Sequence, residues 1–103
     1  PRWAGMWLFP NAEVARAETP EAAAQRALLD ASGLHGKASG IVCVVRHTVT
    51  RFRITLDAYR TIELSGTAQA HGVAELSWKT PSQLSDLAMP AAHRRIATRL
   101  LDP

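Results

Sequence analysis

Residues 41–60, IVCVVRHTVTRFRITLDAYR, constrain this chain more than any other stretch: two apolar runs of strand character meet at the polar link His47-Thr48-Val49-Thr50-Arg51. Residues 41–45 are continuously apolar and mostly β-branched, the pattern of a central strand covered on both faces. Phe52, Ile54, Leu56 and Ala58 alternate with Arg53, Thr55, Asp57 and Tyr59, the pattern of a strand with one wet face. The link holds neither Gly nor Pro. A two-residue hairpin of the primed type favours residues that tolerate positive φ, so the sequence predicts a wider connection that exposes hydroxyls and a cation. That connection is the candidate functional site.

The flanking segments supply the cover. In PRWAGMWLFP (1–10), Trp7 and Phe9 fall on one side of an extended segment and Leu8 on the other, so a short strand closed by Pro10 is expected. Trp3, Trp7 and Trp78 are read as structural anchors. Thr19-Pro20-Glu21 announces a helix: Thr19 can cap its free amides, Pro20 suits the first helical position, and Glu21 complements the positive end of the dipole. Ala24, Ala27, Leu28 and Ala31 follow at helical spacing, and Gly33-Leu34 makes a left-handed stop with its hydrophobic contact. This narrow stripe of small residues predicts a helix lying close against a sheet. HGKASG (35–40) reads as a loop, SGTAQAHG (65–72) as a turn or exposed loop, and VAELSW (73–78) as a last strand. Thr80-Pro81-Ser82-Gln83 has capping-box form and introduces a short helix holding Leu84 and Leu87. From Pro90 a final amphipathic helix runs with Met89, Ala92 or His93, Ile96 and Leu100 in its seam, and with Arg94, Arg95 and Arg99 to the sides. The order predicts a single α/β domain over residues 1–103, a mixed sheet covered by helices.

Composition narrows the chemistry. A chain of 103 residues can bury one modest core, and Ala supplies much of its 47% hydrophobic content. The net charge of +3 and pI near 9.8 are compatible with a polyanionic partner. The one cysteine, Cys43, excludes an intrachain disulfide and a four-cysteine site, and reads as a core thiol in a reducing, cytoplasmic setting. Nothing reaches the roughly 18 apolar residues of a membrane span, so no membrane partner is expected. The first residue is Pro, which suggests a piece of something longer. His35, His47, His71 and His93 lack metal-ligand spacing, and no phosphate-binding glycine loop occurs.

The order of elements resembles the Nudix fold, whose motif runs Gly, five residues, Glu, seven residues, Arg-Glu-apolar-x-Glu-Glu-x-Gly-apolar. Laid on this chain, the motif puts Ala12 at the first Gly, Glu18 at the first Glu, and Arg26-Ala27-Leu28-Leu29-Asp30-Ala31-Ser32-Gly33-Leu34 along the helix. In that family three helix Glu residues hold magnesium against a diphosphate. Here Ala27 and Ala31 stand at two of those positions and the shorter Asp30 at the third, too few hard oxygens for an ion that wants several at about 2.1 Å. The resemblance therefore implies the scaffold without the hydrolysis.

GMWLFP (5–10), VRHTVTRFRITL (45–56) and LAMPAAHRRI (87–96) also resemble, in order, three segments in the C-terminal domain of MutY-family adenine DNA glycosylases: Gly-Leu-Trp-x-Phe-Pro, His-x-Phe-Ser-His and Leu-Pro-x-x-His-Arg-x-Ile. The resemblance implies base-excision repair. This domain would recognise 8-oxoguanine opposite adenine in duplex DNA, while an N-terminal helical domain, with an iron–sulfur cluster of its own, excises the adenine in the bacterial nucleoid. No cofactor, metal or catalytic residue would belong to this segment. The family's lesion-reading loop carries over to His47, Val49, Thr50 and Arg51, with phosphate contacts expected from Arg53, Arg94 and Arg95. A hydroxyl at Thr50 suits the task, because oxidation turns guanine N7 from acceptor to donor and adds a carbonyl oxygen at C8, and a hydroxyl both donates and accepts. Val49 replaces the family's Phe, and Arg51 its second His. A divergent Nudix pyrophosphohydrolase and a protein-binding module remain the alternatives.

Overall fold

The computed structural model describes residues 5–101. Its elements are α1 (Pro20–Ser32), β1 (His35–Val49), β2 (Phe52–Ser65), a 3₁₀ helix (Pro81–Asp86) and α2 (Ala91–Leu101). The α/β class is as expected, but the sheet is not mixed. Among the described residues it consists of β1 and β2 alone, an antiparallel pair because the link between them is too short for a crossover. Trp7 donates its amide to the Ala88 carbonyl at 2.8 Å, one bond in place of a ladder, and residues 73–78 form no strand. A period-two pattern gives a strand only where a neighbour offers a matching edge. Trp3 lies outside the described residues.

The described residues cluster into two compact units: residues 5–9, 42–58 and 79–101, and residues 10–41 and 59–78. In the first, Val45, Ala92 and Ile96 form a buried cluster that Phe9, Cys43, Leu56 and Ala58 join as half-buried members. Each fully buried aliphatic side chain contributes about 1.5–3 kcal/mol. The apolar run 41–45 is not covered on both faces: Val45 is 3% exposed, whereas Ile41 and Val44 are exposed. Cys43 is a half-buried thiol. The 3₁₀ helix has both halves of its capping box, Thr80 Oγ1 accepting from the Gln83 amide and Gln83 Oε1 from the Thr80 amide at 2.8 Å. The carbonyls of Leu84 and of the capping residue Leu87 accept from the guanidinium of Arg94.

In the second unit α1 forms as its local signals dictate. Thr19 accepts from the Ala22 amide at 3.1 Å, and Gly33 closes the helix at φ 75°, its amide donating to the Leu29 carbonyl. The carbonyls of Ala31 and Ser32 accept from the amides of His71 and Gln69, so these two residues finish the helix end. Small residues allow close packing: a Cβ at Gly36 would sit 2.8 Å from a Leu64 methyl and 3.0 Å from a Leu28 methyl. β1 therefore starts at His35, through a segment whose glycines read as loop. Trp78 is no anchor, being 72% exposed.

Candidate functional site

Around α1, the acidic residues at the Nudix-motif positions are held within the unit. Arg26 donates from Nε to Glu18 Oε2 and from Nη2 to Glu18 Oε1, both at 2.9 Å, and Nη2 also reaches the Glu13 carbonyl at 2.7 Å. The Ala15 amide donates to Glu18 Oε1 at 2.9 Å. The Arg26 guanidinium, then the Ala15 amide, hold the Glu18 carboxyl down at about 2. Asp30 lies exposed, 4.0 Å from Arg26 Nη1. The donor set does not fit magnesium: alanines occupy two positions, Ala27 is buried, and both Glu18 oxygens are engaged by donors.

The hairpin end differs. β1 runs to Val49 and β2 starts at Phe52, so the connection is Thr50-Arg51, shorter than the wide link the sequence predicts. Thr50 takes the left-handed conformation at φ 57°. That region is a genuine outlier for a β-branched residue and costs about 1–2 kcal/mol. Tertiary pairing of two long strands thus fixes a tight turn that the local sequence does not favour.

Below the turn, Arg46, His47, Thr48, Arg53, Ile54 and Thr55 line an open depression of about 230 Å³. It includes His47 and Arg53 of the sequence-derived site and adds Arg46, Thr48, Ile54 and Thr55. Val49, at the end of β1, and the turn residues Thr50 and Arg51 are not part of its lining. The added residues carry a readable signal, since alternation puts Arg46 with Thr48 on one side of β1 and Arg53 with Thr55 on one side of β2. Among the described residues no hydrogen bond or ion pair engages the guanidinium of Arg46, Arg51 or Arg53. Arg95 Nη1 donates to the Arg46 carbonyl at 3.3 Å, which brings a further cation beside the lining. Arg94 is committed instead to the carbonyls of Leu84 and Leu87.

A histidine read as seam supports the same unit. His93 Nδ1 accepts from the Phe9 amide at 3.1 Å, and the two rings stack at 5.9 Å with an interplanar angle of 12°. The acceptor role requires Nδ1 to be unprotonated. Burial, then the charge of His47, pushes the His93 pKa down. GMWLFP, VRHTVTRFRITL and LAMPAAHRRI therefore meet in one unit, through Trp7 to Ala88, Phe9 to His93 and Arg95 to Arg46.

A family model described as NUDIX domain matches residues 2–99. No curated protein matched the chain. Among solved structures, the solution structure of the E. coli ORF135 protein superposes with a TM-score of 0.87 at 24% identity, covering 94% of this chain and 69% of that one. At that identity the likeness speaks to the fold.

Proposed function

The chain belongs to the Nudix domain family, and within it we propose a recognition domain for oxidised purine in duplex DNA, not a hydrolase. The observation that carries this reading is the hairpin end, where Thr50, strained at φ 57°, closes two strands whose Arg46, His47 and Arg53 line a depression. In this reading Thr50 meets the edge of 8-oxoguanine opposite adenine, donating to the new C8 carbonyl or accepting from N7–H. A matched hydrogen bond contributes about 0.5–1.5 kcal/mol, and about 1–3 kcal/mol of discrimination where the wrong base strands a buried partner. Arg46, Arg51 and Arg53 answer the phosphates, which position the duplex and carry no sequence information. The resemblance to MutY-family C-terminal domains supports the same assignment, with adenine excision belonging to a separate catalytic domain. The state of α1 argues against phosphoanhydride hydrolysis by this segment, since Ala27 and Ala31 offer no oxygen ligands and Glu18 is held by Arg26.

The test is an amide chemical-shift titration with two short duplexes identical except for 8-oxoguanine or guanine opposite adenine. Larger shifts from His47 to Arg51 with the oxidised base are expected. Equal shifts would reduce the site to phosphate contacts, and no shift there would refute the assignment. Magnesium-dependent release of phosphate or pyrophosphate from oxidised nucleotides would favour the hydrolase instead.

A further inference from the structure

The geometry points to a discrete oxyanion site on the face of the hairpin turned away from the buried cluster, where Arg46 and Arg53 clamp one phosphate group and Thr48 and Thr55 donate their hydroxyls to it. The inference rests on the DNA reading for the carrier of the phosphate, and deepens it by naming the donors. The two-residue link after Val49 sets the register, so Thr48 stands opposite Arg53 and Arg46 opposite Thr55. On one face of these strands Val45 is buried, with Cys43, Leu56 and Ala58 packed against its cluster. Alternation turns Arg46, Thr48, Arg53 and Thr55 to the opposite face. All four are exposed, and all four line the depression of about 230 Å³.

Directly opposed residues have Cβ atoms about 4.5–5.5 Å apart, and diagonal ones about 7–8 Å. The arginines occupy one diagonal and the threonines the other, so two guanidinium groups and two hydroxyls surround a single point. Nothing within the chain answers them. Among the described residues the ion pairs are those of Arg26 with Glu18 and Asp30, and no hydrogen bond engages either threonine hydroxyl. Asp57 shares the face by alternation, beyond Thr55, yet forms no ion pair with either arginine. Arg95, donating to the Arg46 carbonyl at 3.3 Å, brings a third guanidinium to this strand. Donors on four corners suit a tetrahedral oxyanion, because each guanidinium offers a fork of N–H groups and each threonine an O–H. A carboxylate presents two oxygens in one plane, which one arginine fork satisfies alone.

The experiment titrates the 103-residue chain with inorganic phosphate, and with chloride and acetate at matched ionic strength, following amide and arginine Nε chemical shifts. Phosphate should saturate, with shifts centred on Thr48, Thr55 and the Nε groups of Arg46 and Arg53, while chloride and acetate give small linear drifts. Arg53→Gln and Thr48→Val should each weaken phosphate binding about tenfold. Both positions are exposed and Val keeps the strand preference of Thr, so unchanged urea midpoints are expected and guard against a folding artefact. A duplex of normal bases that moves the same four residues and is displaced by phosphate identifies the carrier as a nucleic-acid backbone. If phosphate saturates and no duplex binds, oxidised or normal, the site stands with a free phosphate compound as its ligand and the DNA reading fails. If a duplex binds without moving Thr48 or Thr55, the oxyanion site fails while the DNA reading stands. Phosphate shifts no larger than those from chloride, or unchanged in Arg53→Gln, would overturn the proposal. Acetate binding as tightly as phosphate would overturn it in favour of an acidic peptide.

Discussion

Helix α1 and the hairpin end both carry charged side chains at positions where this family's resemblances locate function, but they use them in opposite ways. At α1 the charges neutralise one another: Arg26 takes both oxygens of Glu18 and the Glu13 carbonyl. At the hairpin end three guanidinium groups have no such partner among the described residues, and the turn between them is strained. Charges paired within the fold offset one another, whereas like charges held close together without partners cost stability through repulsion. The difference teaches that a motif helix can persist as structure after alanines replace its carboxylates, while the hairpin end of the same chain keeps its cations unpaired among the described residues.

The largest effect should come from restoring the acidic chemistry of α1. Ala27 is 4% exposed, so Ala27→Glu forces a carboxylate into packed surroundings and should destabilise the chain by roughly 3 kcal/mol or more. A urea midpoint measures it. The comparison breaks if Ala27→Glu with Ala31→Glu folds at parental stability and releases phosphate with magnesium, because α1 would then be a dormant metal site.

Next is His93, which ties two of the three segments together. His93→Ala removes the acceptor for the Phe9 amide and the stacked ring, and should cost about 2–3 kcal/mol. The same contact makes stability depend on pH. Because burial holds the folded pKa of His93 below its ordinary value of about 6.5, its contribution is fully present above that value and is lost as pH falls from there through the folded pKa. Glu18 has the same sign lower down, with stability present above its ordinary value of about 4.3 and lost as pH falls towards about 2. Urea midpoints between pH 8 and 2 should show two falling limbs, the upper removed by His93→Gln and the lower by Arg26→Ala. A single limb would mean that one of these contacts is absent in solution.

Legibility in the sequence follows the range of the interactions. Thr19, Pro20, Glu21 and Gly33 define α1 through bonds within a few residues, and Thr80 with Gln83 does the same for the 3₁₀ helix, so both read correctly. The segments 7–9 and 73–78 carry strand patterns but join no ladder among the described residues. Gly36 lies inside β1 because Leu28 and Leu64 approach it too closely for a side chain, a contact between residues far apart in the chain. At the hairpin end, the polar and charged residues from His47 to Arg53 stand out in the sequence because they interrupt two apolar runs, a local signal. The two-residue turn does not, because strand pairing and not the Thr50-Arg51 dipeptide sets its geometry.

A smaller stability effect, of opposite sign, tests the turn. Thr50→Gly relieves the left-handed strain of about 1–2 kcal/mol and adds backbone entropy to the unfolded chain of about 0.5–1 kcal/mol, so a net gain of up to about 1 kcal/mol is expected. The same substitution deletes the hydroxyl, and preference for the 8-oxoguanine duplex over the guanine duplex should vanish. Thr50→Asn separates the two effects, since Asn tolerates positive φ and keeps a donor and an acceptor. A variant that is more stable and still discriminates would show that the strain serves no recognition and that the lesion is read elsewhere.

The smallest change isolates charge from shape. Replacing Arg53 by Gln leaves an exposed strand residue of similar reach, so stability should stay within about 0.5 kcal/mol. Binding should weaken for oxidised and normal duplexes alike, and the slope of log K against log salt should become shallower by about one. Arg94→Gln is the internal control, because its guanidinium serves the Leu84 and Leu87 carbonyls. That variant should lower the urea midpoint and leave the salt slope where it was. If the two exchange roles, so that Arg94 sets the salt slope and Arg53 the stability, the contrast between spent and available charge is misassigned within this unit. A shallower slope only in Arg53→Gln would instead tie the available charge to phosphate, and discrimination would then rest on Thr50.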